Sequence, residues 1–185
     1  MPLRWPAILA GLVILASCSP PIDTAMMPPV SGLTDPRNAI QYANWAFSSP
    51  ARTHNDPASA ARAVAALDYA AGAINTNPSL QFMSPVINSE MLDARQAVRR
   101  VLGIPPTAPS QAVVNGMVAA SLALGSGDPT QALAALNTPI FTLGPQETLA
   151  VLTNMPLVRQ ANIATSQAEG AINGTFCALG CLGNR

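Results

Sequence analysis

Few side chains in this chain could do chemistry, and they are widely separated. His54 is the only histidine and lies in a loop, and no Gly-x-Ser-x-Gly motif exists to present a serine to it. Glu90 and Asp93 are three residues apart on one predicted helix face, whereas Glu147 and Glu169 stand alone. Because glycosidase-type catalysis needs two acids across a cleft, we expect no catalytic residues, and we interpret His54 as a solvated loop residue.

The nine basic residues are all arginines. A chain without lysine can hold neither a Walker A phosphate loop nor a Schiff-base lysine, so pyridoxal phosphate and similar cofactors are excluded. The net charge is zero, and the only dense basic cluster is Arg95, Arg99 and Arg100, so no nucleic-acid partner is expected. These three arginines could pair with an anionic partner, but we expect a solvated helix face with intrahelical pairing to Asp93.

The first residues have the anatomy of an export signal. Arg4 supplies a positive start, and twelve uncharged, mostly apolar residues follow from Trp5 to Ala16. A helix needs about 20 apolar residues to cross the hydrocarbon core of a membrane. The run therefore predicts a cleaved signal peptide over residues 1–17 rather than a permanent span.

The end of this run, Leu15-Ala16-Ser17-Cys18, resembles the lipobox of bacterial lipoproteins. The resemblance implies that Cys18 becomes the first mature residue and carries diacylglycerol on its sulfur and an acyl group on its amine. Each buried CH2 contributes about 0.8 kcal/mol, so several chains anchor a protein stably to a membrane. Ser19 at the next position implies the periplasmic face of the outer membrane rather than the inner membrane. An ordinary secretory signal, without lipid on Cys18, is the alternative.

Two further cysteines, Cys177 and Cys181, lie near the end of the chain. In the oxidising compartment that the lipoprotein resemblance implies, they predict a local disulfide. Residues four apart in a helix have Cβ atoms about 5–6 Å apart, farther than a disulfide allows, so the bridge needs a non-helical turn that Gly180 permits. The Cys-x-x-x-Cys spacing does not match thioredoxin-like motifs. Only His54 could join these cysteines in a four-ligand zinc site, so no metal site is expected.

The composition predicts one folded domain after the signal. Charged residues make up 10% of the chain and hydrophobic residues 49%, so the usual signature of disorder is absent. Residues 19–34 contain two Pro-Pro pairs and no helical period. We interpret residues 18–34 as the lipidated end and a Pro-rich tether, which could hold the folded part up to about 50 Å from the lipid. A polyproline ligand for another protein is the alternative reading of this segment.

The rest of the chain, residues 35–185, predicts a single all-α domain. Asp caps exposed helical amides and Pro suits the first helical turn, so Asp35-Pro36, Asp56-Pro57 and Asp128-Pro129 each predict a helix start. Apolar periodicity and Pro/Gly breaks predict helices over 36–48, 57–75, 85–102, 109–124, 129–137, 145–154 and 156–172. Six or seven helices with short turns predict an antiparallel bundle or helical-hairpin array. The second helix is alanine-rich and should be central.

Two local patterns depart from a plain bundle. Ala66, Ala73 and Pro78 have the spacing of the second helix of a tetratricopeptide repeat, but no 34-residue period continues, so the resemblance is only to a helical hairpin. Residues 138–143 are the nearest candidate for a strand.

Together these patterns predict a lipid-anchored, non-catalytic scaffold or accessory subunit that binds an envelope protein. The second hypothesis is a binder of an apolar small molecule or lipid between the helices, and the third is an envelope enzyme. An enclosed apolar volume would favour the second hypothesis, whereas a packed core with an exposed apolar groove would favour the first.

Overall fold

The structure, a computed structural model, describes residues 23–174, and it confirms the all-α fold. Within that range, seven α-helices follow one another without any strand: α1 (Pro36–Phe47), α2 (Pro57–Ala73), α3 (Pro85–Val101), α4 (Ser110–Gly125), α5 (Pro129–Leu136), α6 (Pro145–Thr153) and α7 (Arg159–Ile172). The predicted signal peptide, Cys18, Cys177 and Cys181 lie outside the described residues.

The three Asp-Pro pairs begin helices as predicted. The side chain of Asp35 accepts a hydrogen bond from the Arg37 amide, and Asp56 accepts one from Ser59. Asp128 caps α5 in the same way through the Gln131 amide. Each carboxylate therefore satisfies an amide that the helix itself leaves without a partner.

Helix α2 is the centre of the domain, as its alanine content predicts. It packs against α1, α3, α4 and α6, while α7 closes the other side by packing on α1 and α3. Thirteen of its seventeen residues are buried, far more than a single apolar stripe would account for. Alanine and glycine side chains are short, so neighbouring helices approach α2 from several directions at once.

The candidate strand at residues 138–143 is a pair of turns between α5 and α6. Phe141 is buried there, and a Cβ on Gly116 of α4 would lie 2.9 Å from its ring. This segment buries one aromatic ring against a glycine instead of pairing its backbone with another strand.

No helix among residues 23–174 has the length and hydropathy needed to cross a membrane.

Residues 23–34, here called the N-terminal strap, are packed against the helices. The strap passes Gly72 of α2, reaches Arg62 ten residues nearer the start of that helix, and turns at Gly32, whose φ is 69°. It then returns to Tyr69, whose hydroxyl donates to the Thr34 carbonyl at 2.7 Å.

The interpretation of residues 18–34 as an extended tether is therefore wrong for residues 23–34, which pack on the helices. Met27 and Leu33 are buried in the core. The absence of a helical or strand period hid these two anchors, because an irregular segment needs only a few apolar side chains and hydrogen bonds at the right places to pack. The folded body therefore includes residues 23–34, which precede the predicted domain boundary at residue 35.

Gly72 tests how closely the strap packs on α2. A Cβ there would lie 2.9 Å from the Asp23 carbonyl oxygen and 3.1 Å from the Thr24 Cα, and both are backbone atoms. Helix propensity alone would make Gly72→Ala stabilising by up to about 1 kcal/mol. We expect it instead to lower the free energy of unfolding by about 1–2 kcal/mol in urea titrations, because the strap must shift.

The matched control is Gly125→Ala in α4, where an added Cβ meets nothing within 4 Å. This variant should be as stable as the unmodified protein or more stable. If both variants gain stability alike, the strap does not pack on α2 as described.

Tyr69 is expected to make this packing less stable at alkaline pH. Burial, and secondarily the nearby Asp35 carboxylate, raise the pKa of the Tyr69 phenol above its ordinary value. The neutral phenol is favoured in the fold, so this stability is present below pH 10 or so and is lost as pH rises through the folded pKa.

Tyr69→Phe should therefore lower the free energy of unfolding by about 1 kcal/mol at neutral pH through the lost hydrogen bond. It should also lose less stability than the unmodified protein as the pH rises above about 10. Without lysines, few other groups titrate in this range. Parallel alkaline losses in the two proteins would contradict the assignment.

Candidate functional site

The guanidinium of Arg99 on α3 is a fully hydrogen-bonded charged group in the core of the described residues. Its Nε and Nη2 donate to the two carboxylate oxygens of Asp68 on α2, each at 2.7 Å. Nη2 also donates to the Ser110 hydroxyl at 2.8 Å, and Nη1 donates to the carbonyls of Ala108 at 2.8 Å and Pro106 at 3.3 Å. All five N–H groups of a guanidinium are thus used. The residue is only 1% exposed.

Arg95, one helical turn earlier, extends this cluster to the strap. Its Nη1 donates to the Asp23 carbonyl and to the Ser110 hydroxyl, each at 3.0 Å. The Ser110 amide donates to the Asp23 carboxylate, which also lies 3.8 Å from Arg99. Burial lowers the pKa of Arg95, and the Arg99 charge adds to this, while the Asp68 and Asp23 carboxylates oppose it.

The predicted solvated arginine face is therefore wrong for two of its three members. Arg95 and Arg99 are buried, and only Arg100 is exposed; Asp93 is exposed too, but the charge that pairs with Arg99 most closely is Asp68. The helical stripe alone could not show this, because α3 is covered on more than one side. One signal was available: Asp68 is the only charge on the apolar stripe of α2, and a buried carboxylate needs a cation.

An open groove of about 590 Å³ lies between the strap, α2 and α4. Its surface is more apolar than polar. The residues that line it are Val30, Ser31, Gly32, Tyr42, Ala58, Ser59, Arg62, Val118, Ser121, Leu122, Gly125 and Ser126. Val30 and Leu122 are among the most exposed large apolar side chains of the described residues. An exposed apolar concavity of this kind is typical of a binding surface.

Arg62 is the one charged side chain that lines the groove. Its Nη2 donates to the Ser31 carbonyl at 2.6 Å, and its guanidinium lies 4.8 Å from the centre of the Tyr42 ring. Its buried Nε has no hydrogen-bond partner, and no carboxylate among residues 23–174 forms a salt bridge with it. The groove thus combines apolar side chains with a positive charge that the described residues do not neutralise. Composition alone did not identify Arg62, because a lone arginine in an alanine-rich helix resembles any exposed charge.

The sequence-predicted candidates do not converge on one place. His54 is exposed, as predicted, beside a separate concavity that Pro50 and Met155 help to line. Residues 23–174 contain no group of three or more His, Cys, Asp or Glu that could hold a metal ion. The lipidation site Cys18 and the predicted disulfide of Cys177 and Cys181 lie outside the described residues and remain predictions.

Comparison with known proteins adds no family: no protein-family description, no curated protein and no solved structure matches this chain.

The Arg99 pair should dominate the stability of the domain. Asp68→Asn removes one buried charge and leaves Arg99 with only the more distant, partly exposed Asp23 carboxylate, so we expect the free energy of unfolding to fall by about 3 kcal/mol or more. Asp93→Asn is the matched control, since Asp93 is an exposed carboxylate on the same helix as Arg99 and should change it by less than about 0.5 kcal/mol. Chemical unfolding followed by circular dichroism measures both variants. Equal losses would mean that Arg99 depends on Asp93 as much as on Asp68.

Proposed function

We propose that this protein is a bacterial lipoprotein, anchored through acylated Cys18 in the cell envelope, that acts as a non-catalytic helical scaffold or accessory subunit for another envelope protein. The charged start, the apolar run and the box Leu15-Ala16-Ser17-Cys18 support the anchor. Ser19 after the cysteine favours the periplasmic face of the outer membrane.

The groove beside Arg62 carries the proposal for binding. The core of the described residues is built from alanine, aliphatic, methionine and a few aromatic side chains, while the groove opens at the surface. This combination favours a protein partner over an apolar small molecule enclosed between helices. The chemistry of the groove favours a partner that places an apolar side chain on Val118 and Leu122 and a carboxylate on Arg62, because that contact would compensate the unpaired charge.

The experiment is site-specific photo-crosslinking in living cells. A photo-crosslinking amino acid replaces Leu122 in the groove or, as the matched control, Leu143 between α5 and α6. The two leucines are similarly exposed, at 46% and 41%. We expect one defined envelope protein to be crosslinked from Leu122 and not from Leu143. Equal crosslinking from both positions would contradict a groove-directed partner.

Two further variants separate the anchor from the groove. Cys18→Ser should abolish the lipid, by mass spectrometry, and the crosslink, since the protein would leave the membrane. Arg62→Gln should lower the crosslink yield about tenfold, because it removes a charge-assisted contact. Arg52→Gln removes an exposed charge outside the groove and should leave the yield unchanged. A crosslink that survives both Cys18→Ser and Arg62→Gln would overturn the proposal.

A further inference from the structure

The chain between the proposed anchor and the folded body is very short. Four residues, Ser19 to Ile22, separate Cys18 from Asp23. A fully extended chain covers at most about 3.6 Å per residue, so the two Cα atoms are at most about 18 Å apart.

Asp23 is fixed to the body on both its side chain and its backbone. The Ser110 amide binds its carboxylate at 2.8 Å, and Arg95 binds its carbonyl at 3.0 Å. Because Gly72 has no side chain, the Asp23 carbonyl can lie directly against α2 at this position. The strap is therefore part of the fold from its first described residue, and it cannot extend without breaking these contacts.

We infer that the lipid anchor holds one particular end of the domain against the membrane surface. That end, here called the anchor end, consists of Asp23, the segment 102–109 between α3 and α4, and Arg100. The inference rests on the proposed lipidation of Cys18. The domain then lies in contact with the lipid headgroups, and not up to about 50 Å away as an extended tether would allow.

The chemistry of the anchor end suits a lipid surface. The stretch 94–110 contains no Asp or Glu, and its exposed charge is Arg100. Met26 is 80% exposed, and its amide binds the Gln111 side chain just past this end. Asp23, the one carboxylate here, is partly exposed, but it accepts a hydrogen bond from the Ser110 amide and lies 3.8 Å from Arg99. Headgroups of anionic lipids would thus meet a cation and an apolar side chain rather than a free carboxylate.

This orientation also sets where the partner must be. Helix α4 leads away from the anchor end, and at 1.5 Å per residue Leu122 lies about 18 Å along it from Ser110. The groove is then within a few tens of ångströms of the headgroups, so a protein of the same membrane can reach it.

Energy transfer to labelled lipids tests the orientation. The lipidated protein, with Cys177→Ser and Cys181→Ser, receives a donor dye at Thr107→Cys in the anchor end or at Thr130→Cys. Both threonines are exposed, and α4 places them about 24 Å apart along its axis. Acylated Cys18 has no free thiol to react. The vesicles contain phosphatidylethanolamine and phosphatidylglycerol, with an acceptor dye on a fraction of the headgroups.

We expect transfer to be about twofold more efficient from position 107 than from position 130. Insertion of twelve Gly/Ser residues between Ser19 and Pro20 is the matched control, since it lengthens the connection outside residues 23–174. The insertion should lower transfer from position 107 and remove the difference between the two positions.

Equal transfer from both positions, or an insertion without effect, would overturn the orientation while leaving the lipoprotein proposal intact. Mass spectrometry of the N-terminal peptide separates the two proposals. If Cys18 carries no acyl chains, the proposed anchor fails, and the orientation fails with it.

Discussion

The bidentate pair between Arg99 and Asp68 is the interaction on which the rest of the fold depends. Two charges of this kind are costly to remove from water, and they are tolerated in a core only when each donor and acceptor has a partner. That requirement extends the network to Ser110 at the start of α4, to the carbonyls of the α3–α4 connection and to the strap. One ion pair therefore sets the relative positions of α2, α3, α4 and the N-terminal segment.

Alanine and glycine determine how closely these parts approach. Helix α2 is buried on nearly all sides because its side chains are small, and Gly72 lets a backbone carbonyl of the strap lie against it. Such a core combines closely packed small side chains with fully buried larger ones, such as Ile40, Leu67 and Met117. Its cohesion comes from many close contacts and from a few hydrogen-bonded polar groups at the boundary between helices. The N-terminal strap completes this arrangement and forms one wall of the groove.

If Cys18 is the anchor and the groove binds a partner, as proposed, the groove is held at a defined height above the membrane. Under the proposed function, the lipid supplies location, the strap transmits it rigidly to the helices, and α4 sets the distance from the membrane to the groove. Arg62 holds the strap through the Ser31 carbonyl, and under the proposed function its positive charge is also what the partner's carboxylate meets. A partner that binds there would stabilise the same contact that holds the strap in place.

The sequence alone determined the helical class, the three Asp-Pro helix starts, the central place of α2 and the exposed position of His54, because caps, proline and composition act over a few residues. It also carries the whole case for the lipid anchor. The tertiary structure decided the rest. Arg95 and Arg99 are buried because α2, α4 and the strap meet over them, and the strap itself packs through isolated side chains that have no period. The groove exists only where three segments distant in sequence come together, so no local pattern around Arg62 or Leu122 could have predicted it.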